Sequence, residues 1–148
     1  MKIWVDADSC PKIAKEILYR AAQRTGVALI LVANRPLTIP RSPHIRSMVV
    51  AQGFDVADSA IIDAAEPGDL AITADIPMAA ALLDKGVDVI DTRGGRFTDA
   101  SIGIQLAMRD IKSELRDSGV HTGGPPAYSQ RDRQQFANQL DRLLAQVR

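Results

Sequence analysis

The chain has 148 residues, 46% hydrophobic and 24% charged, which is enough to bury a core and unlike a disordered segment. Basic and acidic residues balance at 18 each, and the single cysteine, Cys10, cannot form an internal disulfide, so nothing calls for an oxidising compartment. Aromatic residues make up only 4%, so the core must be built from Ala, Val, Ile and Leu. The N-terminus runs straight into Lys2-Ile3-Trp4-Val5-Asp6 without a signal-peptide pattern, and no apolar stretch approaches the roughly 20 residues that span a bilayer. The expected location is the cytoplasm, with no membrane partner.

The zero net charge hides an asymmetry. Residues 55–91 carry Asp55, Asp58, Asp63, Glu66, Asp69, Asp75, Asp84, Asp88 and Asp91 against Lys85 alone. Residues 1–54 are basic, with only Asp6, Asp8 and Glu16 as acids. An acidic centre beside basic flanks suits a site that binds metal ions and then a polyanion; the competing role of such charges is to solvate helix faces.

Taken in order, the chain alternates strands and helices. Lys2 to Val5 is a short strand. Pro11 fits the first position of a helix, where its missing N–H costs nothing, and Ile13, Ile17 and Leu18 continue a helical stripe towards Gly26. Val27 to Ala33 is a continuous apolar run, the mark of a strand buried on both faces. Pro36, Pro40 and Pro43 exclude regular structure from the following loop. Ser47 to Ala51 reads as a strand, residues 57–65 as a helix stopped by Pro67-Gly68, and Leu70 to Thr73 as a strand. Pro77 opens a helix that closes at Gly86, and Val87 to Ile90 is the fifth strand. Thr98 caps a long helix that ends before Gly119. Ser129 caps a last helix, about 129–147, with Phe136, Leu140, Leu143, Leu144 and Val147 on one stripe. There is no internal repeat.

Strands alternating with helices imply parallel pairing with right-handed crossovers. The expected architecture is one α/β domain over residues 1–148, a three-layer α/β/α sandwich around a mainly parallel sheet of four or five strands.

In such sheets sites form beyond the carboxyl ends of strands. Asp6 ends the first strand, and Asp8, two residues on, points to the same side if the chain is still extended. Asp75 follows the Leu70 strand and precedes the helix-starting Pro77. Neighbouring strands would bring these three carboxylates together, with Asp58 or Asp63 as a fourth. Crowded carboxylates need a compensating cation, and an all-oxygen site favours Mg²⁺ or Mn²⁺. The alternative role for Asp8 and Asp75 is capping of helix N-termini.

The motifs Val5-Asp6-Ala7-Asp8-Ser9-Cys10-Pro11, Val32-Ala33-Asn34, Asp69 to Ala79, Arg93-Gly94 and Gly123-Gly124-Pro125 together resemble the YaiI/YqxD family of bacterial proteins. That family is similar in turn to PIN-like and NYN-type nucleases, which implies a PIN-like fold. The resemblance implies an acid after the first strand, one on a middle helix and one or two after a later strand. Asp6, Asp58 and Asp75 match these positions, and Ile76 and Pro77 stand where a further acid often follows. The implied activity is metal-dependent phosphodiester hydrolysis of RNA, single-stranded RNA being the implied partner. Asp6 and Asp75 would be direct ligands, and Asp8 and Asp58 ligands or holders of water. Asn34, Arg35 and Arg93 lie at predicted strand ends on the same edge and are the candidate phosphate contacts.

Two other classes fit. An apolar strand followed by Asp-x-Asp also opens haloacid-dehalogenase-type phosphohydrolases, with Asp6 as nucleophile and Asp8 as acid/base, although Pro11 leaves no room for their flap. A non-catalytic RNA-binding or interaction module with a partial acidic site is the third. The remaining polar residues carry less: Cys10 opens a helix with no base beside it, His44 and His121 lack metal-ligand spacing, Trp4 belongs to the core, and Gly94-Gly95 and Gly123-Gly124 read as turns. No P-loop or dinucleotide fingerprint is present.

Overall fold

The computed structural model describes residues 1–53, 55–119 and 126–146; His121 and the expected turn at Gly123-Gly124 lie outside the described residues. The elements are β1 (Lys2–Asp6), a single 3₁₀ turn (Ala7–Ser9), α1 (Lys12–Thr25), β2 (Ala28–Ala33), β3 (Ile45–Val49), α2 (Val56–Ala64), β4 (Leu70–Ile72), α3 (Ile76–Asp84), β5 (Asp88–Ile90), β6 (Arg96–Phe97), α4 (Asp99–Asp117) and α5 (Gln130–Ala145).

The sheet has six strands in the order β3-β2-β1-β4-β5-β6. The first five pair in parallel, and β6 closes the edge antiparallel to β5. The sequence implies four or five strands; β6 is two residues long, too short to show a period. It turns back through the predicted Gly94-Gly95 turn, where Asp91 Oδ1 accepts from the backbone N–H groups of Arg93 and Gly95.

Local chemistry sets the element ends. Pro11 stands just ahead of α1, one position earlier than expected, and Gly26 ends the helix at φ 76°. Asp75 caps α3 by accepting from Met78 N at 2.8 Å. Thr98 Oγ1 accepts from Ser101 N ahead of α4, and Ser129 and Asp132 form a reciprocal capping box at α5.

Side-chain alternation along β1 separates two cores. Ile3 and Val5 pack with Leu18 of α1 and with Phe136, Leu140 and Leu143 of α5. Trp4 packs on the other face with Ile61 of α2 and with Met78 and Leu82 of α3. Fully burying one such aliphatic or aromatic side chain stabilises the fold by about 1.5–3 kcal/mol. α4 lies outside α3, contributing Ile102 to that core while Ile104, Met108, Ile111 and Leu115 stay exposed. At the amino end of the sheet, buried Asp69 accepts from Lys2 N, Trp4 Nε1 and Glu66 N, each at 3.0 Å, which fastens β1 to the start of β4. Among the described residues no helix is long and apolar enough to cross a membrane.

Candidate functional site

From β1 the strand order runs one way through β2 and β3 and the other way through β4, β5 and β6. The reversal opens a crevice at the carboxyl ends of β1 and β4. Asp6 is the last residue of β1, and Asp75 lies three residues beyond β4. Buried Thr73 joins them: its hydroxyl donates to Asp6 Oδ2 at 3.2 Å and accepts from Asp75 N at 3.1 Å. Ser9 Oγ also donates to Asp6 Oδ2, at 2.9 Å. Asp75 uses one oxygen, Oδ1, to cap α3, the alternative role its place in the sequence allowed.

α2 brings in the remaining acids. One carboxylate oxygen from each of Asp55, Asp58 and Asp75 lies within 4.8 Å of the others. Asp58 sits in the first turn of α2, and Asp55 precedes that helix in the left-handed conformation at φ 61°. A side chain pays for that conformation, and Asp pays less than most. Asp55 makes no capping hydrogen bond in return. The three acids line a cleft of about 410 Å³ with Ser59, Pro77 and Arg109, the last reaching in from α4.

Electrostatics reflect the crowding. Burial, the charges of Asp75, Asp6 and Asp55, and a hydrogen bond with Asp75 push Asp58 up to about 7. Burial raises Asp6 as well, with the charges of Asp75 and Asp8 adding to it and hydrogen bonds from Ser9 and Thr73 opposing it. Crowding of this kind favours a protonated carboxyl or a nearby positive charge. The cluster's all-oxygen chemistry suits a hard divalent ion. Cys10 offers no thiolate, because burial drives its thiol up to about 12.

The other sequence candidates are placed as follows. Asp8 does not project from an extended chain: the 3₁₀ turn Ala7–Ser9 redirects it, and its Oδ2 accepts from Asn34 N at 3.0 Å. Neither Asp8 nor Asp6, the expected direct ligand on β1, belongs to the close trio, and the charge of Asp8 helps to raise Asp6. Asp63 is exposed farther along α2, outside that trio. Asn34 and Arg35 are exposed at the end of β2, on the same edge as Asp6. Arg93 is committed elsewhere: it pairs with Asp132 at 2.6 Å, donates to the Pro126 carbonyl at 2.5 Å and lies 5.7 Å from the centre of the Tyr128 ring. Those contacts fasten the start of α5. Asp6 and α1 are separated by one turn and Pro11, with no inserted flap of the dehalogenase kind.

Two further residues line the cleft beyond those expected from the sequence. Asp55 stands three residues before Asp58, a spacing that puts both on one side of a helical turn. Arg109 carries no local signal, since only the packing of α4 over α3 brings it to the cleft.

A doubly wound α/β fold with carboxylates gathered at its switch point defines the class of protein. Residues 4–146 match the family described as "Uncharacterized BCR, YaiI/YqxD family", and the chain belongs to that family. The UPF0178 protein Tgr7_2584 of Thioalkalivibrio sulfidiphilus is 60% identical over 145 residues, 98% of this chain and 99% of its own. UPF0178 proteins of Cronobacter sakazakii (55% identity, 98% of this chain and 96% of that one) and Aliivibrio fischeri (53%, 100% and 99%) are similar along their length. No solved structure is significantly similar to the chain.

Proposed function

We propose that the chain is a divalent-metal-dependent phosphodiesterase acting on RNA, with Mg²⁺ or Mn²⁺ held by Asp55, Asp58 and Asp75 and with Asp6 beside them. The observation that carries this reading is the trio of carboxylate oxygens within 4.8 Å of one another at the switch point of a parallel sheet. The acid order also supports it. Asp6 after the first strand, Asp58 on a middle helix and Asp75 after a later strand follow the PIN-like pattern, and Asp55 adds an acid that Ile76 and Pro77 do not provide.

When bound, a divalent ion supplies a water nucleophile at neutral pH and neutralises charge on the phosphate. The chain's own groups do the rest. Thr73 and Ser9 aim Asp6 by hydrogen bonds, and Met78 N fixes the orientation of Asp75. Arg109 would meet a phosphate from the α4 side of the cleft; among the described residues its one ion pair is with exposed Asp110, at 4.0 Å, a contact weak enough to yield to a ligand. Asn34 and Arg35 stand at the same edge to meet the strand beyond the scissile group. In this reading Asp8 holds the β2 end in place through Asn34 N and is not a direct ligand.

The test is single-turnover cleavage of end-labelled single-stranded RNA with Mn²⁺ or Mg²⁺, and with EDTA. Cleavage should require the ion and fall by at least about 10–100-fold in Asp75→Asn with the fold intact. Metal-independent cleavage, or equal rates in Asp75→Asn, contradicts it. RNA binding by rigorously pure protein without cleavage gives the case to a binding module.

A further inference from the structure

On the opposite face of the sheet, α1 and α5 flank a groove of about 500 Å³ lined by Arg20, Arg24 and Arg133, with Ile17, Ala21 and Ala137 supplying its apolar part. One acid, Asp141, shares it and pairs with Arg24 at 2.8 Å. Arg20 and Arg133 have no carboxylate partner among the described residues. Three guanidinium groups against one carboxylate leave the groove positive, and like charges sharing a concave surface are relieved by a bound anion. Guanidinium groups match phosphate in shape, two N–H donors to two oxygens, and give up hydration more readily than ammonium groups.

We propose that this groove is a second binding site that holds successive phosphates of a single-stranded nucleic acid, separate from the carboxylate cluster. A strand fits better than an isolated anion because the cations are spread along two helices. Arg20 and Arg24 are one turn apart, about 6 Å along the axis of α1, comparable to the step between neighbouring phosphates of an extended strand. Arg133 stands across the groove on α5. The small side chains of Ala21 and Ala137 leave room for sugar and base edges between them. The site needs no metal, so it stands or falls independently of the proposed chemistry.

The experiment is fluorescence anisotropy of a labelled 12-nucleotide single-stranded RNA in EDTA, over a salt series. The full-length parent should bind with an affinity that falls as salt rises. Arg20→Gln/Arg133→Gln should weaken binding about tenfold at low salt and reduce the log–log salt slope by about 1.4, at about 0.7 per phosphate contact on a single strand. Arg46→Gln/Arg131→Gln removes the same charge from exposed positions outside the groove and should change affinity less than about twofold. Equal losses in the two double variants make the effect one of net charge and overturn the proposal, as does a parent that does not bind. Displacement of the RNA by inorganic phosphate at the same total phosphate concentration makes the groove a small-anion site and overturns the strand.

Discussion

The Thr73 hydroxyl donates to Asp6 at 3.2 Å and accepts from the backbone N–H of Asp75 at 3.1 Å, so one buried group couples the ends of β1 and β4. Thr73→Val keeps the shape and removes both contacts. Leaving Asp75 N unpaired should cost about 1–3 kcal/mol. At roughly 2–4 °C per kcal/mol, the melting midpoint should fall by about 2–12 °C. Thr73→Ser keeps the hydroxyl and should recover most of the loss. Thermal melts followed by the emission of Trp4, the sole tryptophan, read the difference. A valine variant as stable as the parent contradicts the coupling.

Asp58 gives a pH dependence with a defined sign. Its folded pKa of about 7 lies above the ordinary value of 3.8, so the folded state binds more protons than the unfolded state between those values. Its contribution to stability is full below about pH 4 and is lost as pH rises through 7. In metal-free buffer Asp58→Asn should therefore gain stability over the parent as pH rises from 4 to 8. Melting curves of the two proteins across that range check it. A difference that is flat with pH, or of opposite sign, removes Asp58 from the crowded cluster.

Asp69 has the opposite dependence. Burial opposes its charge, but hydrogen bonds from Glu66 N, Trp4 Nε1 and Lys2 N outweigh that and hold its carboxyl below the usual range. Its contribution is present above about pH 4 and is lost as pH falls below it. Asp69→Ala strands three donors and should cost about 3 kcal/mol or more at neutral pH. Acid titration should show a shallower loss in Asp69→Asn than in the parent. An alanine variant within about 0.5 kcal/mol of the parent contradicts the fastening role.

Two glycines separate packing from propensity. A Cβ on Gly94 would lie 2.6 Å from the Gln135 backbone, at φ 87°, so Gly94→Ala must push α5 away and should cost more than about 1 kcal/mol. Gly103, inside α4, has open space around it, and Gly103→Ala should stabilise by about 0.5–1 kcal/mol. Denaturation midpoints of both variants test the pair. Equal effects would mean that α5 does not seat on the Asp91–Gly95 turn.

Much of the fold was legible because local signals agreed. The Ala28–Ala33 run is apolar throughout, Gly26 and Ser129 mark helix ends, and Pro77 follows the capping Asp75. Those signals also placed Asp6 and Asp75 on one edge once parallel pairing was inferred. What was not legible depends on geometry without a period. The 3₁₀ turn Ala7–Ser9 redirects Asp8, a rotation that alternation along an extended strand does not anticipate. Asp55 enters the cluster through a left-handed backbone ahead of α2. Arg109 arrives through the packing of α4 on α3. Arg93 looked like a free cation at a strand end, but Asp132, far along the chain, claims it.

The most direct measurement is calorimetric titration of metal-free protein with Mn²⁺, comparing the parent with Asp75→Asn, Asp58→Asn and Asp63→Asn. Asp63 is an exposed acid outside the close trio and serves as the control. The expected result is saturable binding by the parent, a loss of about 10–100-fold in affinity in Asp75→Asn and Asp58→Asn, and no change in Asp63→Asn. No saturable binding by the parent, or Asp75→Asn binding as tightly as the parent, contradicts a metal centre at the switch point.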